Sequence, residues 1–166
     1  MLFSGILAFV MPPLPNNSIV ALRRSNYRQK QFLTSMFSLN QIHEAHSNVK
    51  SGADFPRYVR DLKEIGVSFY DTYVSDGTGI YFGDDDYSNK SGAEYPAMEI
   101  AGQSSAEALK HALEIHQQGQ TDYPAFCRQA ADSGVEKWTT DAVKMNVAYF
   151  DKTGRQLVVE TIPDIQ

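Results

Sequence analysis

Asp54-Phe55-Pro56-Arg57-Tyr58-Val59-Arg60-Asp61-Leu62-Lys63-Glu64-Ile65-Gly66-Val67 returns, altered but in register, as Asp122-Tyr123-Pro124-Ala125-Phe126-Cys127-Arg128-Gln129-Ala130-Ala131-Asp132-Ser133-Gly134-Val135. The two stretches lie 68 residues apart, and Asp, Pro, Arg, Gly and Val recur at the same places. Asp54 and Asp122 can cap the free amides of a first helical turn. Pro56 and Pro124 then fall in that turn, where a missing N–H costs little. Phe55, Tyr58, Val59 and Leu62 in one copy, and Tyr123, Phe126, Cys127 and Ala130 in the other, mark the apolar face of a helix. Gly66 and Gly134 sit where a left-handed residue ends one. The pattern predicts two equivalent helices and an internal repeat.

Working outward, the same order of signals surrounds each copy. Ser38-Leu39-Asn40-Gln41 is a capping-box pattern that opens a helix from Leu39 to about Lys50, and Ser104-Ser105-Ala106-Glu107 is a second, opening one from about Ala106 to Gln118. After each glycine the period changes to that of strands. Val67–Val74 and Thr78–Phe82 follow the first, Gly83–Gly92 reads as a polar loop, and Ala97–Ala101 is a third strand candidate. Val135–Thr140, Lys144–Phe150 and Arg155–Thr161 follow the second, with Asp151-Lys152-Thr153-Gly154 as a hairpin turn. The expected fold is α+β: two helix–helix–strand units, residues 36–102 and 103–166, forming one mainly antiparallel sheet covered by four helices on one face.

Residues 1–35 differ. Leu2–Val10 is apolar but short for a membrane span, and no basic segment precedes it. Met11-Pro12-Pro13-Leu14-Pro15 breaks the pattern. The stretch reads as an extension, disordered or non-native, with the domain beginning near Met36.

Composition narrows the function classes. The chain of 166 residues carries a formal charge of −5, with 11% aromatic and 21% charged residues, as in a globular domain. All of the first 35 residues' charges are basic (Arg23, Arg24, Arg28, Lys30), so the remainder holds 11 cations against 20 acids. An acidic body disfavours nucleic-acid binding, which needs positive surface. A single cysteine excludes an internal disulfide and a cysteine-based zinc cage. It fits a reducing compartment, and a cytoplasmic location is expected.

Candidate chemistry is sparse. Cys127 could be a nucleophile beside His43, His46, His111 or His116, but its place on the apolar stripe favours a packing role. No His-Glu-x-x-His, P-loop or nucleophile-elbow motif occurs, and Asp84-Asp85-Asp86 lacks the alternation of a calcium loop. No metal or cofactor is expected. Arg60 and Arg128 recur at the stripe's edge and are the candidate ligand-binding residues, because arginine grips carboxylate and phosphate bidentately. They also suit structural ion pairs.

Ser51-Gly52-Ala53-Asp54-Phe55-Pro56-Arg57-Tyr58, Tyr70-Asp71-Thr72-Tyr73-Val74-Ser75-Asp76-Gly77 and His116-Gln117-Gln118-Gly119-Gln120-Thr121-Asp122-Tyr123-Pro124, with Phe126-Cys127-Arg128-Gln129-Ala130, resemble the YbcV-like family of small bacterial and prophage proteins. Its members often carry the label "phage envelope protein". The resemblance runs from about Met36 to Pro163. It implies a bacterial α+β domain and brings no catalytic residues. The leading expectation is a non-enzymatic domain that binds a protein partner or a small anionic ligand, with a homodimer allowed. A cysteine-dependent enzyme and a phage or envelope structural protein are the alternatives.

Overall fold

The proline-led amphipathic stretches do form matching helices, and each is followed by three strands. A computed structural model describes residues 36–49 and 52–163; the extension expected for residues 1–35 lies outside the described residues. In chain order the elements are α1 (Leu39–Ser47), a single 3-10 turn (Gly52–Asp54), α2 (Phe55–Glu64), β1 (Phe69–Tyr73), β2 (Gly79–Phe82) and β3 (Ser88–Lys90). Then come α3 (Ala106–Gln117), α4 (Tyr123–Asp132), β4 (Val135–Asp141), β5 (Asn146–Asp151) and β6 (Gln156–Thr161). No helix among the described residues is long and apolar enough to cross a membrane.

The strands make one antiparallel sheet in the order β3-β2-β1-β4-β5-β6. Its middle is the β1–β4 ladder, in which Asp71 lies opposite Thr139, the residue 68 positions later. The flanking pairs are arranged evenly about that point. Phe69 faces Asp141 and Tyr73 faces Lys137. Val74 N–H donates to the Glu136 carbonyl at one end, and Ala142 N–H to the Ser68 carbonyl at the other. The two halves therefore meet across the centre of the sheet with one register for both.

Alternation along the strands gives the sheet two unlike faces. Tyr70, Thr72, Tyr81, Trp138, Thr140, Val147 and Tyr149 point to the helices. Tyr58 of α2 meets Tyr70, with ring centroids 6.4 Å apart, and His46 of α1 meets Tyr58 at 5.4 Å. Phe126 of α4 meets Trp138 at 5.9 Å, and Gln117 of α3 donates to Glu160 of β6. The helical stripes are buried as their spacing requires: Phe55, Tyr58, Val59 and Leu62 on α2; Tyr123, Phe126, Cys127 and Ala130 on α4. Each large apolar side chain buried in this way contributes about 1.5–3 kcal/mol.

Three local expectations need correction. Asp122 caps α4 through its side chain, but Asp54 does not cap α2. It sits in helical conformation inside the 3-10 turn and makes no side-chain cap hydrogen bond to α2. The capping box expected at Ser104 does not form: Ser105 is the N-cap of α3, accepting from Ala108 N–H, and alanine at that third position has no side chain to reach back. The third strand of the first half is Ser88–Lys90, inside the stretch read as loop, whereas 97–101 is not a strand. Backbone pairing with Ile80 to Phe82 decides this, since β3 has no apolar alternation to announce it.

Candidate functional site

Gly134 ends α4 with φ +77°, and a Cβ placed on it would lie 2.7 Å from both the Gln103 carbonyl oxygen and Ser104 Cα. The α4–β4 turn is thus pressed against the segment that leads into α3. Ala101 N–H donates to the Ala131 carbonyl and Ser105 N–H to the Ser133 carbonyl, pinning that segment at both ends. The β5–β6 hairpin closes over it from the other side. Ser104 Oγ donates to Asp151 Oδ2 at 2.8 Å, and Arg155 Nη2 donates to Ser104 Oγ at 2.8 Å. Asp151 also accepts from Thr153 N–H, Thr153 Oγ1, Arg155 N–H and Arg155 Nε. Lys152 Nζ reaches the Ile100 carbonyl.

These contacts frame a polar cleft of about 390 Å³ between Gly102–Ser104, Gly134 and the hairpin residues Asp151–Thr153 and Arg155. Hydrogen bonds from Thr153 and Ser104 hold the Asp151 carboxyl well below the usual carboxylate range, so it is ionised at neutral pH. Lys152 and Arg155 outweigh it by one charge. The twelve-residue α3 begins at the same edge, with Glu107 in its first turn offsetting part of the N-terminal dipole.

The first half treats the same place differently. Shifted by 68, Asp151 corresponds to Gly83 and Arg155 to Tyr87. A Cβ on Gly83 would meet the Gly66 carbonyl oxygen and the Phe37 ring, each at 2.9 Å. Phe37 is 1% exposed, packs edge-on against Tyr87 at 5.0 Å, and accepts at its carbonyl from the Tyr87 hydroxyl. An aromatic plug fills there what the second half leaves open and charged.

The residues singled out in the sequence lie elsewhere. Arg60 is half-buried on α2 and Arg128 exposed on α4; neither lines the cleft. Cys127 is fully buried, and its thiol is pushed up to about 11, chiefly by burial. The groups acting on it are Tyr123, Tyr95, Glu94 and Arg128, with no histidine among them. His111 is exposed, while His116 stacks on Phe126 at 4.8 Å and bonds Thr121 through Nδ1. Burial lowers His116 and His46, the latter further through His43. Among the described residues no three His, Cys, Asp or Glu side chains converge as a metal site would need. Asp84, Asp85 and Asp86 form an exposed turn between β2 and β3.

Sequence reasoning missed Ser104, Asp151, Lys152 and Arg155, reading them only as cap, turn and strand start. A signal was present: carried along by 68, the acidic tip Asp84-Asp85-Asp86 becomes Lys152-Thr153-Gly154. It also missed Glu94, in the irregular segment joining the halves. Its Oε2 is buried without a hydrogen-bond partner, and burial pushes its carboxyl up to about 8. Tyr58, Tyr70, Tyr81, Tyr95, Tyr123 and Cys127 all feel its charge. Under the first half's helices the interior is nearly closed: a void of about 10 Å³ beside His46, Tyr58 and Tyr70 holds at most one water.

Among curated proteins none matches the chain. The profile of the family described as "Protein of unknown function (DUF1398)" matches residues 43–161, which take in nearly all of both halves. The chain belongs to that family.

Proposed function

We propose that the protein is a non-enzymatic binding domain whose cleft between the α3 N-terminus and the β5–β6 hairpin takes a small anion, a carboxylate or phosphate. One observation carries this reading: Lys152 and Arg155 border a polar hollow at the position where the first half is sealed by Phe37. Arginine and a helix N-terminus are the common partners of such anions. The Ser104–Asp151–Arg155 bonds hold the guanidinium in place before any ligand arrives, which lowers the ordering cost of binding.

The test is a thermal-shift and calorimetric screen of citrate, malate, inorganic phosphate and nucleoside monophosphates. At least one should raise the melting temperature, and Ser104→Phe, which puts a ring one residue before the N-cap Ser105 as Phe37 stands before the N-cap Ser38, should abolish that rise. The Arg60→Ala/Arg128→Ala double variant tests the competing anion site on the helices. If binding survives Ser104→Phe but not the double variant, the cleft is the wrong site; if no anion binds, the reading fails.

The cysteine-enzyme alternative has less behind it. A thiol buried in the core, raised to about 11 and without an adjacent histidine, is a poor nucleophile. Iodoacetamide at neutral pH should modify Cys127 only after denaturation.

A further inference from the structure

The face of the sheet turned away from the helices is unusual for one that meets water. Such faces are ordinarily polar. Here Phe69 and Phe82 stack at 4.5 Å, Ile80 lies beside them, and Tyr73 and Phe150 each hold a ring 6.0 Å from Lys137 Nζ. Ala148 and Val159 continue the apolar surface outward, Val159 being 45% exposed. At the centre, Asp71 gives one carboxylate oxygen to Lys137 and the other to Thr139, with its side chain only 7% exposed. All four helices pack on the opposite face.

The geometry points to this face as the interface of a homodimer, in which a second copy of the chain stacks sheet against sheet. Three features select that occupant. A two-fold interface uses the same patch twice, so the patch must tolerate itself. This one does, because its central acid and base neutralise each other within one chain and neither is left unpaired when covered. For the same reason the centre offers no net charge with which to select a strongly basic or acidic foreign partner. The area suits a weak, reversible pair. Six strands about 4.8 Å apart, with about five residues each at about 3.3 Å, give a footprint of about 500 Å² per copy, so that the pair covers about 1,000 Å² in all, the size of a transient interface.

Sedimentation equilibrium of the full chain, up to about 100 µM, reads the result. A dimer is expected. Val159→Glu alone, and Ile80→Thr with it, should raise the dissociation constant about tenfold or more while circular dichroism and melting temperature stay near those of the parent. Val143→Glu is the control: Val143 is 60% exposed, but on the β4–β5 turn, outside the six strands. A monomer throughout the range would overturn the inference. So would a dimer weakened by Val143→Glu and indifferent to Val159→Glu.

Discussion

The β2–β3 and β5–β6 hairpins share a register beside the turn and differ in nearly every side chain that matters. Gly83 N–H donates to the Tyr87 carbonyl as Asp151 N–H donates to the Arg155 carbonyl, and Asp86 and Gly154, at equivalent places, both have positive φ. From that common turn, Tyr87 reaches Phe37 and seals an aromatic corner, whereas Arg155 reaches Ser104 and borders a charged hollow. The frame around both is set by burial and register. Where two sites have the same support and one is filled with core-like material, the open one is where ligand chemistry can be accommodated without loss of stability.

The largest expected effect comes from unplugging the sealed corner. Phe37→Ala removes a ring that is 1% exposed and should cost about 3–5 kcal/mol in urea denaturation. A loss well under 1 kcal/mol would mean that the aromatic corner is not core. Next is the turn that shapes the open cleft. Gly134→Ala forces a side chain onto a positive φ and within 2.7 Å of two backbone atoms, and should cost about 2–4 kcal/mol. Gly119→Ala has similar φ, +73°, but open space, and should cost about 1 kcal/mol. Equal losses would show that the close packing beneath the cleft is absent.

Glu94 probes the seam between the halves, since it acts on Tyr58 and Tyr81 of one and on Tyr123 and Cys127 of the other. Its carboxyl is raised from 4.5 to about 8, so in that window the folded state keeps a proton that the unfolded chain releases. Stability should therefore fall as pH climbs from about 4.5 to about 8, by about 2 kcal/mol given the carboxyl's partial exposure. Glu94→Gln should flatten that slope; an unchanged slope assigns it to another group. The smallest effect belongs to Asp151, whose carboxyl is held below its ordinary 3.8. Its contribution is present above that value and is lost as pH falls beneath it. Asp151→Asn should weaken the acid-side slope slightly and loosen the second hairpin, measurable as faster amide exchange at Thr153 and Arg155, with no change at the Gly83–Tyr87 turn.

Much of the fold was legible before any coordinates, because its signals are local. Proline, apolar stripe and glycine each act within a turn or two, and they announce α2 and α4, with a side-chain cap only at Asp122. The antiparallel sheet follows from short β-branched and aromatic runs separated by turns. What escaped depends on partners far along the chain. β3 is a strand only because Ile80 to Phe82 offers it hydrogen bonds. Ser104 is drawn from a capping role by Asp151, 47 residues away. The cleft escaped for the same reason, since Gly102–Ser104, Gly134 and Asp151–Arg155 meet only once three separate segments are folded together. Arg60 and Arg128 attracted notice because repetition is visible in sequence, whereas a hollow is not.

The placement of Asp71 opposite Thr139 bears on what a lone unit of this protein could do. A free-standing single unit that paired its β1 with another β1 in the same register would set Asp71 against Asp71. Like charges on directly opposed positions destabilise a ladder. The joined chain avoids that conflict by carrying a hydroxyl at 139 and an ammonium at 137, both of which turn to the one remaining carboxylate. Covalent tandem linkage is thus what allows the midline of this sheet to contain an acid.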